Sequence, residues 1–386
     1  MATTTSFHVV APGVSLAAHE LVLAESSGDR SLLVLSALGL CALAYRPLAE
    51  AFVKASRDDA ADAFGYRRVV FLDLRHHGKS TTTDDDDDDD DETTPSSLSW
   101  TREALWETLA ADLEAAVESL NFSPRSPPDV LAHSLGAGVA ALACARSPRL
   151  FGSLFLFEPP FYPLIAAAGG GGGGGEQRRD LARDNASFAA SAAAASALSF
   201  ETAEDASSLL EAAPPFRWWH RSCRRAFVEH GLKKQQQQLV FSCGGRALAA
   251  LASGLLTSAG GGPSRETYRA LGRRRQEPGG RVVVVSYAAE PRSDVTAFLR
   301  AGAIAAAEAA AEAASSSSAP SSSSAVVVLP VRLPEGAQGA RSGHYAPLVC
   351  PEELGRVAAA AMTTTPAAAA AAAKNEKEER GERSRF

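Results

Sequence analysis

The sequence has few cysteines, and their placement argues against metal binding and disulfide bonding. Five occur among 386 residues, an odd number, and no two of them form a Cys-x-x-Cys pair. We therefore expect neither a zinc site nor a disulfide framework, and free thiols are typical of a reducing compartment. The five are Cys41, Cys144, Cys223, Cys243 and Cys350.

The sequence also lacks an apolar run that could cross a membrane. Residues 31–45, SLLVLSALGLCALAY, fall short of the roughly 20 residues that a transmembrane helix needs. We interpret them as a buried strand followed by a loop. The N-terminus has no basic stretch leading into an apolar one, so no secretory signal is predicted. We expect a cytoplasmic location, with Ser384-Arg385-Phe386 as a weak peroxisomal alternative.

Negative charge is concentrated in one segment of the sequence. The formal net charge is −7, but residues 84–91 are eight consecutive aspartates, and removing these eight negative charges leaves +1. The remainder of the chain is therefore close to neutral. Basic residues cluster only locally, as at residues 273–275, which argues against a nucleic-acid-binding protein.

Several low-complexity segments cannot contribute to a packed core. Runs of glycine, serine or aspartate have no apolar surface to offset the entropy that is lost on ordering. We predict that residues 84–92, 169–175, 315–324 and 363–386 are low-complexity or disordered segments. Four glutamines at residues 235–238 form a further run of this kind.

The rest of the chain alternates between two kinds of apolar pattern, and 46% of all residues are hydrophobic. Six short apolar runs are typical of strands buried on both faces. Helix-like segments separate most of them. The clearest covers residues 101–120, with Thr101 as a possible cap and Pro124 beyond its end. The alternation predicts an α/β fold, with a mostly parallel central sheet flanked by helices on both faces. The six runs are residues 32–35, 69–72, 130–132, 154–157, 282–285 and 326–329.

One long segment interrupts this alternation. Residues 166–275 contain helix-like and loop-like sequence, and their only strand-like run, LVFSC at residues 239–243, is weak. We therefore predict a core formed by residues 1–165 and 276–362. Residues 166–275 are predicted to be a helical cap or lid inserted into that core.

The stretch DVLAHSLGAGVAALACA, residues 129–145, places a serine between a strand-like and a helix-like run. A sharp turn between strand and helix brings the residues two before and two after the serine close together, so both must be small. Here they are Ala132 and Gly136, and Gly138 lets the helix pack closely on the strand. The helix N-terminus also directs N–H groups at the site. The pattern predicts a nucleophile elbow that presents Ser134.

This elbow and three further motifs resemble the α/β-hydrolase superfamily, over roughly residues 7–165 and 280–360. In the family's Asp-x-Arg-Gly-His-Gly-x-Ser turn, His76 here replaces the first glycine. The resemblance implies a serine nucleophile, an acid and a histidine, in this order along the chain. The motifs are DLRHHGKS at residues 73–80, AHSLGAG at 132–138, LFLFEPPF at 154–161 and GHYAPLVCPEEL at 343–354.

The resemblance assigns a catalytic triad. Ser134 is the expected nucleophile, and His344 is the expected base because it follows the last apolar run in a Gly-His turn. The acid should follow the strand at residues 282–285, where it would orient the histidine. Glu290 fits this position, and Asp294 is the alternative.

An oxyanion hole needs two N–H donors. Leu135, directly after the nucleophile, is expected to supply one, and Leu38 the other. Ser36 and Ala37 stand where many relatives have His-Gly. Backbone donors do not depend on side-chain type, so the hole is kept, but a familiar supporting histidine is absent.

Other residues near these motifs are expected to be structural. Asp73, Arg75 and Ser80 should satisfy loop backbone groups beside the site. His133 precedes the nucleophile, and we expect its side chain to point away and pack.

Aromatic residues suggest an apolar or aromatic substrate. Phe161 and Tyr162 follow the LFLFEPP motif, and Trp218 and Trp219 lie in the predicted cap. All four are candidate substrate-binding residues. An equally weighted interpretation is that the two tryptophans hold the cap on the core.

These residues together predict a hydrolase of carboxylic esters or related acyl compounds, acting through an acyl-enzyme. No metal or organic cofactor is expected, and the expected partner is a small ester-like molecule. A non-catalytic binding module with the same fold is the main alternative, and an acyltransferase is a further one.

Overall fold

The computed structural model describes most of the predicted core and part of the predicted cap. The described residues fall in eleven segments. They are residues 3–23, 28–58, 65–83, 104–160, 198–244, 247–248, 251–252, 262–273, 282–287, 326–331 and 345–363.

Nine of the described strands form one mixed sheet, in the order β1-β2-β4-β3-β6-β7-β11-β12, with β5 paired to β2. The strands from β4 to β12 along this order are parallel, whereas β1, β2 and β5 are antiparallel. The predicted α/β class is confirmed, and each of the six predicted runs lies in one of the parallel strands. The strands are β1 (Thr4–Ala11), β2 (Val14–Val22), β3 (Arg30–Leu35), β4 (Tyr66–Leu72), β5 (Thr81–Thr82), β6 (Asp129–His133), β7 (Leu154–Phe157), β11 (Val282–Tyr287) and β12 (Val326–Val331).

Helices cover both faces of this sheet. Helix α1 packs against α8, whereas α2, α3 and α6 form a second group. Short 3₁₀ turns occur at Ala42–Tyr45 and Phe216–Trp218. The helices are α1 (Arg46–Asp58), α2 (Leu105–Ser119), α3 (Leu135–Arg146), α4 (Ala203–Ala212), α5 (Arg221–His230), α6 (Arg265–Arg273), α7 (Ala346–Val349) and α8 (Pro351–Thr363).

The central strands are buried on both faces because apolar side chains alternate between two clusters. In β3, Leu33 and Leu35 join the cluster that contains residues of α2 and α3. Leu32 and Val34 join the cluster that contains residues of α1 and α8. Burying one such side chain completely stabilises the fold by about 1.5–3 kcal/mol. This packing explains why the strands read as continuous apolar runs.

Helix α2 is shorter than the sequence predicts. It begins at Leu105 and ends at Ser119, and the predicted cap Thr101 lies outside the described residues. Asn121 has a φ of 51°, the left-handed conformation that commonly follows a helix C-terminus. The helix thus ends at this turn, before Pro124 is reached.

The predicted cap region is not purely helical. It contains a small antiparallel sheet formed by β8 (Ser199–Phe200), β9 (Leu232–Gln235) and β10 (Gln238–Phe241). The glutamine run forms the β9–β10 hairpin, with Gln236 at a φ of 53°. The usual glycine signal for such a turn is absent, so sequence patterning pointed to helices and loops.

Candidate active site

Ser134 lies where β6 ends and α3 begins. Its φ of 49° and ψ of −114° are unusual for a residue other than glycine. Two hydrogen bonds hold this backbone: the Ser134 N–H donates to the Phe157 carbonyl of β7 at 2.9 Å, and the Gly138 N–H donates to the Ser134 carbonyl at 3.0 Å. The half-buried serine therefore sits on a strained turn at the carboxyl edge of the sheet.

The two glycines after Ser134 are required by close packing. A Cβ atom on Gly136 would lie 2.7 Å from the Ser36 carbonyl oxygen, and one on Gly138 would lie 2.7 Å from Pro160 and 2.9 Å from Trp106. Real Cβ atoms essentially never approach other atoms this closely. The Gly136 N–H also donates to the Ser36 carbonyl at 3.1 Å, which joins the elbow to the loop after β3.

That loop and the elbow each present an N–H group that the predicted oxyanion hole requires. Leu135 is the first residue of α3, and the first N–H groups of a helix have no partner within it. Within the part of the chain that the structure describes, the Leu38 N–H has no acceptor. Both N–H groups are therefore left without an acceptor among the described residues, and their role in an oxyanion hole stays a prediction.

The DLRHHGKS motif forms a buried hydrogen-bonded turn. The Asp73 carboxylate accepts from the Ala42 N–H at 2.7 Å and the Lys79 N–H at 2.9 Å, and it contacts His19 Nε2 at 2.9 Å. Ser80 Oγ donates to the Asp73 carbonyl at 2.7 Å. These contacts give Asp73 and Ser80 a structural role in this loop.

Arg75 and His76 lie in the same turn. Arg75 donates from Nε and Nη2 to the Asp112 carboxylate of α2, both at 2.8 Å, and both side chains are buried. His76 has a φ of 62°, a conformation that glycine adopts without steric cost. This explains why glycine suits the position in the family motif, and why the substitution strains the turn here.

His133 lies next to Ser134, and its ring is buried. The Tyr45 hydroxyl lies 2.7 Å from His133 Nδ1, with the two ring centroids 5.7 Å apart. The imidazole therefore packs on Tyr45 of the 3₁₀ turn after β3.

Several predicted site residues lie outside the described residues. The residues concerned are Phe161, Tyr162, Glu290, Asp294 and His344.

The structure draws attention to a carboxylate that the sequence reasoning did not weigh as an acid. Glu158 directly follows β7, is 1% exposed, and has a φ of 46°. Its neighbour Phe157 accepts the Ser134 N–H, so Glu158 lies at the same edge as the elbow. A charged residue directly after the apolar run LFLF was the available signal.

The cap tryptophans have different surroundings. Trp219 is 2% exposed and packs in an aromatic cluster, with ring centroids 4.7 Å from Phe216, 5.6 Å from Phe227 and 6.0 Å from Tyr345. Trp218 is half-buried, with the Arg217 guanidinium 4.6 Å from its ring centroid. Packing of Trp219 on Tyr345 favours a role in joining the predicted cap to the predicted core, and contact with a substrate stays a prediction.

The described helices include none that is both long and apolar enough to span a bilayer. The described residues also contain no group of three or more histidine, cysteine or acidic side chains placed to hold a metal ion.

This chain resembles known proteins in its structure and not detectably in its sequence. No protein-family model and no curated protein matches the sequence. Among solved structures, an E-2-(acetamidomethylene)succinate hydrolase is 17% identical with a TM-score of 0.55, covering 92% of this chain and 97% of that one. A peroxisomal alpha-beta-hydrolase from Saccharomyces cerevisiae is 13% identical with a TM-score of 0.57, covering 94% and 89%. A thioesterase domain from the curacin biosynthetic pathway is 14% identical with a TM-score of 0.53, covering 94% and 100%.

The chain has a mostly parallel sheet covered by helices on both faces, with Ser134 at a strained strand–helix turn. The chain has the α/β-hydrolase fold, and the resemblance to that superfamily is confirmed at the level of the fold. Identities of 13–17% show the fold alone.

Proposed function

We propose that the protein is a serine hydrolase that cleaves a carboxylic ester or a related acyl compound. The observation that carries this proposal is the backbone of Ser134, whose φ of 49° is maintained by hydrogen bonds at a strand–helix junction. A non-glycine residue in a strained conformation is typical of functional sites. The proposal is also supported by two N–H groups without an acceptor among the described residues: that of Leu135, which directly follows Ser134, and that of Leu38, in the loop to which Gly136 donates.

In the proposed reaction, Ser134 Oγ attacks the carbonyl carbon while His344 accepts the hydroxyl proton. The N–H groups of Leu135 and Leu38 stabilise the negative charge on the carbonyl oxygen. His344 then protonates the departing alcohol, and an acyl-enzyme remains. Water, deprotonated by His344, attacks this ester, and the acid is released as Ser134 regains its proton.

The acid that orients His344 has three candidates. Glu290 and Asp294 follow β11, as the resemblance implies. Glu158 competes with them because it is buried at the same sheet edge as Ser134.

Separate substitutions distinguish these candidates. We expect Glu290→Gln to lower kcat by roughly 10²-fold or more, because the histidine then loses its orienting partner. We expect Asp294→Asn and Glu158→Gln to keep most of the wild-type kcat. Steady-state kinetics on an ester, with circular dichroism to check folding, measures this. A large loss of kcat in Asp294→Asn or Glu158→Gln alone, with kcat unchanged in Glu290→Gln, would assign the role of orienting acid to the residue whose substitution caused the loss.

The alternative class is a non-catalytic binding module, and the SALGL loop without His-Gly favours it. An acyltransferase would use the same residues and differ in the acceptor. Product analysis with an added alcohol or thiol separates transfer from hydrolysis.

Fluorophosphonate labelling tests the nucleophile. We expect the wild-type protein to be labelled, Ser134→Ala to be unlabelled, and Ser123→Ala to behave as wild type, because Ser123 is an exposed serine in the α2–β6 loop. Hydrolysis of esters of graded chain length by the same three proteins then defines the substrate class, for which we propose small apolar or aromatic esters. Equal labelling of wild type and Ser134→Ala would contradict the proposal.

The location is also a proposal. We propose the cytoplasm, with Ser384-Arg385-Phe386 as the weak peroxisomal alternative. One structural neighbour is described as peroxisomal. Imaging of the chain with and without its last three residues decides between the two.

A further inference from the structure

The loop between β3 and the following 3₁₀ turn is fixed by side chains from outside it. The Ala37 N–H donates to the Tyr45 hydroxyl at 3.2 Å, and the Gly39 N–H donates to His77 Nε2 at 2.9 Å. Leu38, between them, has an N–H without an acceptor in the described segments. Planar peptide units leave few free rotations, so fixing both neighbours restricts the direction of the Leu38 N–H.

Tyr45 links this loop to the elbow. Its hydroxyl has one hydrogen. Because the oxygen accepts from the Ala37 N–H, that hydrogen is available to His133 Nδ1, which lies 2.7 Å away. His133 is adjacent to Ser134, and both rings are completely buried. One hydroxyl therefore contacts the loop that carries Leu38 and the residue beside the nucleophile.

His77 supports the other side of Leu38 in one protonation state. Its Nδ1 lies 2.7 Å from the Arg75 carbonyl oxygen, which can only accept, so Nδ1 carries the hydrogen. Nε2 is then the acceptor for the Gly39 N–H. Burial lowers the pKa of His77 to about 4, which agrees with a neutral ring that accepts at Nε2.

We propose that Tyr45 and His77 are positioning residues that orient the Leu38 N–H for the oxyanion. The proposal rests on the proposed function of the Ser134 site. It also offers a replacement for the missing His-Gly pair. Tyr45 contacts the residue before Leu38, and His77 contacts the residue after it. A donor fixed before reaction stabilises the developing charge without reorganisation.

Tyr45→Phe tests the first residue because it removes one oxygen atom. We expect kcat on an ester to fall roughly tenfold or more while KM changes less than about twofold, since the donor acts mainly in the transition state. Tyr66→Phe is the matched control: Tyr66 is also fully buried, and its hydroxyl donates to Asp129 at 2.7 Å, where β6 begins rather than where it ends. The control should lose stability but keep kcat.

Two substitutions test His77. His77→Leu removes the acceptor for the Gly39 N–H, whereas the amide oxygen of His77→Gln can still accept a hydrogen bond. We expect His77→Leu to lower kcat as Tyr45→Phe does, and His77→Gln to retain more of it. Equal losses in the two variants would contradict a role through this hydrogen bond.

Amide hydrogen exchange of residues 36–40 measures the loop without relying on turnover. We expect faster exchange in Tyr45→Phe and His77→Leu than in wild type, and no change there in Tyr66→Phe. Unchanged exchange, or unchanged kcat with Ser134-dependent labelling intact, would overturn the positioning role and leave the proposed function standing. Absence of Ser134-dependent labelling in wild type would instead contradict the proposed function, and the positioning role with it.

Discussion

At the scale of single residues, the candidate site depends on a few residues whose backbone conformation or protonation state is fixed by their surroundings. Ser134 and His76 both hold positive φ angles, and such strain persists only where the surroundings impose it. His77 is neutral because it is buried and because Nε2 must accept from the Gly39 N–H. Its charge state should therefore be visible in the pH dependence of stability.

We predict that His77 makes the protein less stable in acid. The folded-state pKa of about 4 lies below the ordinary value of 6.5, so protonation favours the unfolded chain. The stabilisation is complete above about pH 6.5, declines as the pH falls, and is lost below about pH 4, a total of about 3 kcal/mol. Asp73, which opposes this shift, and His76, which adds to it, face the same ring.

Urea unfolding of wild type and His77→Gln between pH 7 and pH 4 measures this effect. Burial also lowers the pKa values of His8 and His230, so only the difference between the two proteins belongs to His77. The free energy of unfolding of wild type should fall more steeply with acid than that of the variant. Parallel curves would contradict the prediction.

At the scale of elements, the elbow works because α3 approaches the loop after β3 very closely. Gly136 donates to the Ser36 carbonyl across this contact, and no side chain fits there. Sequence reasoning found the elbow because the small residues are a local steric requirement. The weak strand-like run at residues 239–243 overlaps β10, but the β9–β10 hairpin was not predicted because a turn built from glutamine carries no turn signal.

We predict that Gly136→Ala destabilises the protein by about 1–3 kcal/mol, because the added methyl group would overlap the Ser36 carbonyl and Leu35. Gly244→Ala is the control, since nothing lies within 4 Å of a Cβ atom built there, and its stability should change little. Urea denaturation of both variants provides the measurement. Equal stability of the two variants would show that the contact at Gly136 is not tight.

At the scale of the whole molecule, the sequence predicts the centre better than the edges. Six apolar runs became six parallel strands, and four of these, β3, β4, β6 and β7, are largely buried, as continuous apolar sequence in a strand indicates. The antiparallel β1 and β2 were not predicted: most side chains of β1 are exposed, and in β2, which is mostly buried, the polar His19 and Glu20 interrupt the apolar residues. Loop length and composition do not specify how the cap folds.

In the candidate site, too, some residues could be predicted from the sequence and others could not. Ser134 and Leu135 could be chosen from local pattern, because neighbouring residues define an elbow, whereas Leu38 was chosen from the resemblance to the family. The roles of Tyr45 and Glu158 depend on which strands and loops meet at the sheet edge. No local signal reports such tertiary contacts, so the sequence pattern pointed to neither residue, and the choice of Glu290 over Asp294 stays a prediction.

The most direct test of the central claim is the position of a fluorophosphonate adduct, mapped by mass spectrometry of peptides from the labelled wild-type protein. We predict a single adduct, on Ser134, in the segment that joins β6 to α3. An adduct on another serine, or none on a folded protein, would contradict the account of this site as a nucleophile elbow that performs catalysis.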